Sequence, residues 1–144
     1  MVMELCENGT LEDLLYDMEP TTAKIIHYYS QIVNGIKFMY NKNILHRDIK
    51  PSNFLVKKNK IKIADFGTSK IDKTESLRTL VGTPLFYSPE LFQMSFGSED
   101  TYTEKSDIWA LGLILYLMFN YDRDSFKASD RLKNSLPWKG KNTS

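Results

Sequence analysis

The stretch His46-Arg47-Asp48-Ile49-Lys50-Pro51-Ser52-Asn53, followed at a short distance by Asp65-Phe66-Gly67, decides how this chain is read. It sets a base, a cation and two candidate metal ligands at close range. Such a set suits phosphoryl transfer from a nucleotide, which needs a hydroxyl aligned with a phosphate and charge neutralised on its oxygens, and little covalent chemistry. Taken singly, an asparagine and an aspartate in loops are far more often turn formers. The joint spacing carries the reading.

Working outward, the short apolar runs Ile44-Leu45, Phe54-Leu55-Val56 and Ile61-Lys62-Ile63-Ala64 read as strands, each ending beside one of these motifs. Lys57-Lys58-Asn59-Lys60 reads as a solvated hairpin turn in preference to a localisation signal. Upstream, Val2 to Leu5 reads as an edge of strand and Glu7-Asn8-Gly9-Thr10 as a turn capping a helix that starts near Leu11. After Pro20, apolar side chains at Ile25, Tyr29, Ile32, Val33, Ile36 and Tyr40 fall on one face of a long amphipathic helix, with His27 at its surface or core edge. Downstream, residues 65–90 show no strong periodicity, as expected of a mobile segment. Residues 107–120 are apolar on every face, which predicts a helix buried all round.

The 144 residues, 42% of them hydrophobic, suffice for one ordinary core. A net charge of +1, from 19 basic and 18 acidic side chains, gives no electrostatic reason to expect a nucleic acid or an acidic membrane as partner. The longest uncharged run, residues 108–121, is shorter than the roughly 18 residues of a membrane span. Cys6, the single cysteine, excludes an internal disulfide, and the acidic start lacks the features of a secretory signal; a cytoplasmic or nuclear protein is expected.

The two opening motifs resemble the catalytic loop and magnesium motif of the eukaryotic protein kinases. The resemblance continues in order through Gly82-Thr83-Pro84, Ser88-Pro89-Glu90 and Asp107-Ile108-Trp109-Ala110-Leu111-Gly112. It implies an α+β, mainly helical fold: the large C-terminal lobe of a kinase, with short strands around the catalytic loop. Residues 1–10 would be strand and hinge, 11–120 the large lobe through its buried central helix, and 121–144 a polar insertion and truncated tail. Leu136-Pro137-Trp138 resembles the loop beyond that helix. The resemblance also implies a domain incomplete at both ends, its N-terminal lobe absent, since no Gly-x-Gly-x-x-Gly occurs among the seven glycines. The expectation is that these residues alone do not catalyse efficiently.

In the same resemblance Asp48 is the base that accepts the substrate proton, and Lys50 and Thr83 complete the catalytic set. Asn53 and Asp65 hold magnesium against the phosphates of ATP, as oxygen donors suit a hard cation. The Glu4 carbonyl and Cys6 amide would read the adenine edge, with Met3 as gatekeeper, Leu55 as floor continued by Leu11, Ile114 and Met118, and Thr10 near the ribose. Lys50 with Pro51, and Thr83, are similar to serine/threonine kinases and unlike tyrosine kinases. Leu117 stands where some kinases carry an acidic residue that selects arginine in substrates. Arg47 beside the base marks kinases regulated by activation-segment phosphorylation, with Thr74, Ser76 and Thr79 as acceptors. His46 is structural and packs against Phe66, Asp107 ties down backbone amides of the catalytic loop, and Glu90 would normally pair with an arginine of a later helix, an arginine expected to be absent here. The implied activity is transfer of the γ-phosphate of Mg-ATP to Ser/Thr hydroxyls of protein substrates. Two readings compete: a catalytically silent kinase fragment that binds proteins, and a truncated product without a stable fold.

Overall fold

The computed structural model describes residues 6–17, 21–65, 67, 69–71 and 80–120. Helix α1, Leu11–Asp17, begins where Thr10 and Asp13 cap it reciprocally: the Thr10 amide and hydroxyl each donate to Asp13 Oδ2 at 2.8 Å, and the Asp13 amide donates to Thr10 Oγ1 at 3.2 Å. The fit requires Gly9 just before it, since a Cβ there would lie 2.7 Å from the capping Asp13 oxygen and φ is 69°. Residues 8–10 then pair with strand β2, Phe54–Lys57, through Val56 N to Gly9 O at 2.8 Å and a bridge between Thr10 and Leu55.

Helix α2, Thr22–Asn41, is capped by Thr21, whose hydroxyl accepts from the Lys24 amide. Its buried stripe is Ile25, Tyr28, Ile32, Ile36 and Met39. This corrects the expected face: Tyr29 and Tyr40 are half-buried and Val33 is exposed. Val33 stands one residue, about 100° of arc, round from Ile32, so it leaves a stripe that follows the 3.6-residue period. Strand β1, Ile44–Leu45, follows, then the catalytic-loop motif, a 3-10 turn at Pro51–Asn53, and β2 paired antiparallel with β3, Lys60–Ile63. The hairpin turn Lys58-Asn59 has φ of 46° and 63°, the pair of left-handed residues that a tight two-residue hairpin uses. It is latched to α2 by the Tyr28 hydroxyl on Asn59 Oδ1 and by Gln31, which donates to Asn59 O and accepts from the Ile61 amide. His27, exposed at the helix surface, brings Nε2 to 3.1 Å from the same Asn59 carbonyl.

Strand β4, Lys70–Ile71, pairs antiparallel with β1, an order not visible in the aperiodic segment that contains it. A 3-10 turn at Pro84–Phe86 leads into α3, Pro89–Met94, and a loop into α4, Glu104–Phe119. Helix α4 starts a turn earlier than expected because Thr103 caps it, accepting from the Lys105 amide while its own amide donates to Ser106 Oγ. It is also not buried all round: Ala110, Leu111, Leu113, Ile114, Leu117 and Met118 join α1 and α2 in the main core, while Ile108, Tyr116 and Phe119 are 49–55% exposed. Among the described elements, α2 and the Pro84–Phe86 turn pack closely on α4, and these apolar side chains face away from the core. A smaller cluster of Leu45, Tyr87, Leu91 and Tyr102 seals the other side of the catalytic loop.

Candidate active site

The loop after β1 takes its shape from helix α4. Asp107, with no exposed surface, accepts the His46 amide on Oδ2 at 3.1 Å and the Arg47 amide on Oδ1 at 3.2 Å, and Oδ1 also accepts the Tyr102 hydroxyl. Burial pushes its carboxyl above the usual carboxylate range, while the Tyr102 hydroxyl and the two amides favour the charged form and oppose that rise. Tyr102 is itself pushed above the ordinary phenol range by burial and by the Asp107 charge, and Tyr40 of α2 likewise. The clamp holds Arg47 at φ 70°, a left-handed conformation that a non-glycine residue adopts only at a cost. His46, wholly buried, accepts the Asp48 amide on Nδ1 at 3.2 Å, so its proton sits on Nε2, which donates to Ala64 O at 3.0 Å. That ring is committed to bracing the loop. Phe66, its expected packing partner, lies outside the described residues.

The turn thus braced presents Asp48, and a closed ring of polar side chains forms round it. Asp48 Oδ1 accepts the Thr83 hydroxyl at 2.8 Å; Oδ2 accepts Asn53 Nδ2 at 3.2 Å and faces Lys50 Nζ at 3.3 Å. Lys50 Nζ donates in turn to Thr83 Oγ1 at 3.0 Å, and Asn53 Nδ2 donates to the Asp48 carbonyl at 2.7 Å. With side chains only 10% and 27% exposed, Asp48 and Lys50 interact less screened than a surface pair. Thr83 reaches across 35 residues because Gly82 lets its segment press on the loop. A Cβ on Gly82 would stand 2.6 Å from the Arg47 carbonyl oxygen, and φ there is 100°. A hydroxyl 2.8 Å from a carboxylate oxygen is the geometry asked of a general base, with an ammonium beside it to offset developing charge.

Asn53 and Asp65 lie at the same end of the β2–β3 hairpin. The Ala64 amide donates to Asn53 O at 2.9 Å, which continues the strand register by one step and leaves Asp65 next in line. The Asn53 amide nitrogen is used on Asp48, so its side-chain oxygen is the atom available to a cation; Asp65 is exposed, at φ 58°. These oxygen donors fit a hard divalent ion. Among the described residues no three His, Cys, Asp or Glu side chains gather as ligands, so an ion held here takes the rest of its shell from elsewhere.

The remaining expected residues divide. Leu55, in strand β2, is half-buried, but Leu11, Ile114 and Met118 have no exposed surface and belong to the main core. Thr10 spends its hydroxyl on the α1 cap, and Cys6 is half-buried. Glu90 accepts the Ser106 hydroxyl at 2.9 Å. Met3, Glu4, Thr74, Ser76, Thr79 and the 121–144 segment lie outside the described residues. Tyr102 was missed: its signal was an aromatic five residues before Asp107, too weak to separate from core.

Comparison with known proteins follows the same lines. The protein kinase domain family model matches residues 1–136. The chain is 36% identical over 136 residues to the serine/threonine-protein kinase nekl-2 of Caenorhabditis elegans, covering 85% of this chain and 37% of that protein. It is 42% identical over 120 residues to mitogen-activated protein kinase kinase 9 of Arabidopsis thaliana, covering 80% and 37%, and 35% identical over 145 residues to mouse serine/threonine-protein kinase Nek4, covering 96% and 17%. The chain thus spans well under half the length of these relatives.

Proposed function

This chain belongs to the serine/threonine protein kinase family, and we propose on that premise that it carries the large-lobe catalytic centre for moving the γ-phosphate of Mg-ATP to Ser/Thr hydroxyls of proteins. The observation that supports this most is the ring of Asp48, Thr83 and Lys50, with Asn53 on Asp48 beside it, in which one carboxylate already accepts from a hydroxyl under a neighbouring ammonium. Asp48 takes the proton of the acceptor hydroxyl. Lys50 keeps its charge by the transferred group, and Thr83 orders both side chains. Asn53 Oδ1 and Asp65 hold magnesium, which when bound neutralises phosphate oxygens. Leu55, Cys6, Met3 and Glu4 receive the adenine side, and Arg47 pairs with a phosphate on Thr79 or Ser76. Substrates are proteins met in the cytoplasm or nucleus; no described helix is long and apolar enough to cross a membrane.

The outward Ile108, Tyr116 and Phe119 favour the second reading, a silent protein-binding module. One assay separates the two. Full-length protein with ATP, magnesium and a generic Ser/Thr substrate should transfer phosphate, and Asp48→Asn should lower the rate at least about a hundredfold. Equal rates in the two proteins refute the catalytic reading.

A further inference from the structure

We infer that Tyr102 is a positioning residue of this site, its hydroxyl holding Asp107 in the rotamer that clamps the His46 and Arg47 amides, and its ring supporting Arg47 from beneath. Both contacts converge on one strained residue. Tyr102, 5% exposed, donates to Asp107 Oδ1, the same oxygen that accepts the Arg47 amide, while the Arg47 guanidinium carbon lies 5.7 Å from the centre of the Tyr102 ring. Arg47 immediately precedes Asp48, sits at φ 70°, and its carbonyl oxygen is the atom against which Gly82 closes to deliver Thr83. A shift of the Arg47 peptide therefore moves both partners of the Asp48–Thr83 hydrogen bond. Tyr102 comes from the loop before α4 and gives its hydroxyl to Asp107, while Asp48 accepts from Thr83, so Tyr102 acts through the clamp.

The carboxylate needs such a donor. Asp107 is buried with Tyr40 of α2, His46 and Arg47 of the loop and Tyr102 as its titratable or charged neighbours, and the Tyr40 hydroxyl also reaches the Glu104 carbonyl. A buried carboxylate is retained where several donors satisfy it, and removing one leaves oxygen capacity unpaired in a low-dielectric setting. Tyr102→Phe removes the hydroxyl and keeps the ring. Tyr102→Leu removes both.

The inference rests on the phosphotransfer reading for its kinetic consequence, and amide exchange tests it separately. In the wild type, the His46 and Arg47 amides should exchange as slowly as core amides of α4 although they lie in a loop; fast exchange there overturns the clamp. In Tyr102→Phe, these two amides should exchange about tenfold faster while α2 and α4 keep their protection, and kcat should fall about tenfold with the ATP KM within twofold. Tyr102→Leu should lose more, because Arg47 loses its support. Unchanged exchange at His46 and Arg47, or an acceleration spread evenly over α2 and α4, overturns the proposal. Should wild type and Asp48→Asn both lack phosphotransfer, the catalytic reading falls while the exchange rates still decide the role of Tyr102.

Discussion

Gly82→Ala is the most demanding test of how the site is assembled. The added methyl carbon would stand 2.6 Å from the Arg47 carbonyl oxygen, a separation real Cβ atoms essentially never show, at a backbone φ of 100°. A side chain in left-handed backbone costs at least about 1–2 kcal/mol. Overpacking against a rigid neighbour costs about 1–3 kcal/mol more. Both atoms are fixed by backbone, so neither can swing aside, and the expected loss is about 2–5 kcal/mol of unfolding free energy. Denaturant unfolding of the full-length protein should show the midpoint falling with an unchanged slope. Relief of the clash moves Thr83 from Asp48 Oδ1, now 2.8 Å away, so turnover should fall more than ATP affinity. A loss below about 0.5 kcal/mol, the range of ordinary surface substitutions, together with wild-type turnover, would refute the close approach of the two loops.

Asp65→Ala should abolish magnesium-dependent phosphorylation, lowering the rate at least about a hundredfold, and undiminished turnover would remove Asp65 from the metal site. Phosphate at Thr79 should be found by mass spectrometry of active protein, and Thr79→Ala should lower activity; retained activity, with loss in Ser76→Ala instead, would reassign the acceptor. Asp13 is held below the usual carboxylate range by hydrogen bonds from the Thr10 amide and then its hydroxyl. Its stabilisation is therefore present above the unfolded value near about 3.9 and lost as pH falls through the lower folded value, so Asp13→Asn should flatten that part of an acid-unfolding curve. Thr10→Ala, which removes the reciprocal cap, should cost about 1 kcal/mol in denaturant unfolding, and an unchanged midpoint would show that the cap contributes nothing.

What the sequence determined by itself is what neighbours along the chain determine. The five-residue spacing from Asp48 to Asn53, the two-residue step to Lys50 and the hairpin at Lys58-Asn59 were legible because a short loop or turn leaves few ways to place such residues. Helix α2 was legible in extent, but its face was read a third of a turn wide at Val33, since periodicity gives a stripe and only the hairpin and α4 packed against it define the edges. The resemblance carried the Asp107 clamp across 60 residues, yet not Tyr102, whose aromatic ring and position are equally those of a core residue. The resemblance also put Thr83 in the catalytic set; tertiary structure alone decided which of its atoms meets Asp48, that Arg47 is held left-handed, and which apolar side chains of α4 turn outward. Each of these depends on which surfaces meet after the chain has folded back on itself. A pattern of residue types records that a side chain is apolar or can donate a hydrogen bond; the partner that satisfies it is chosen by packing.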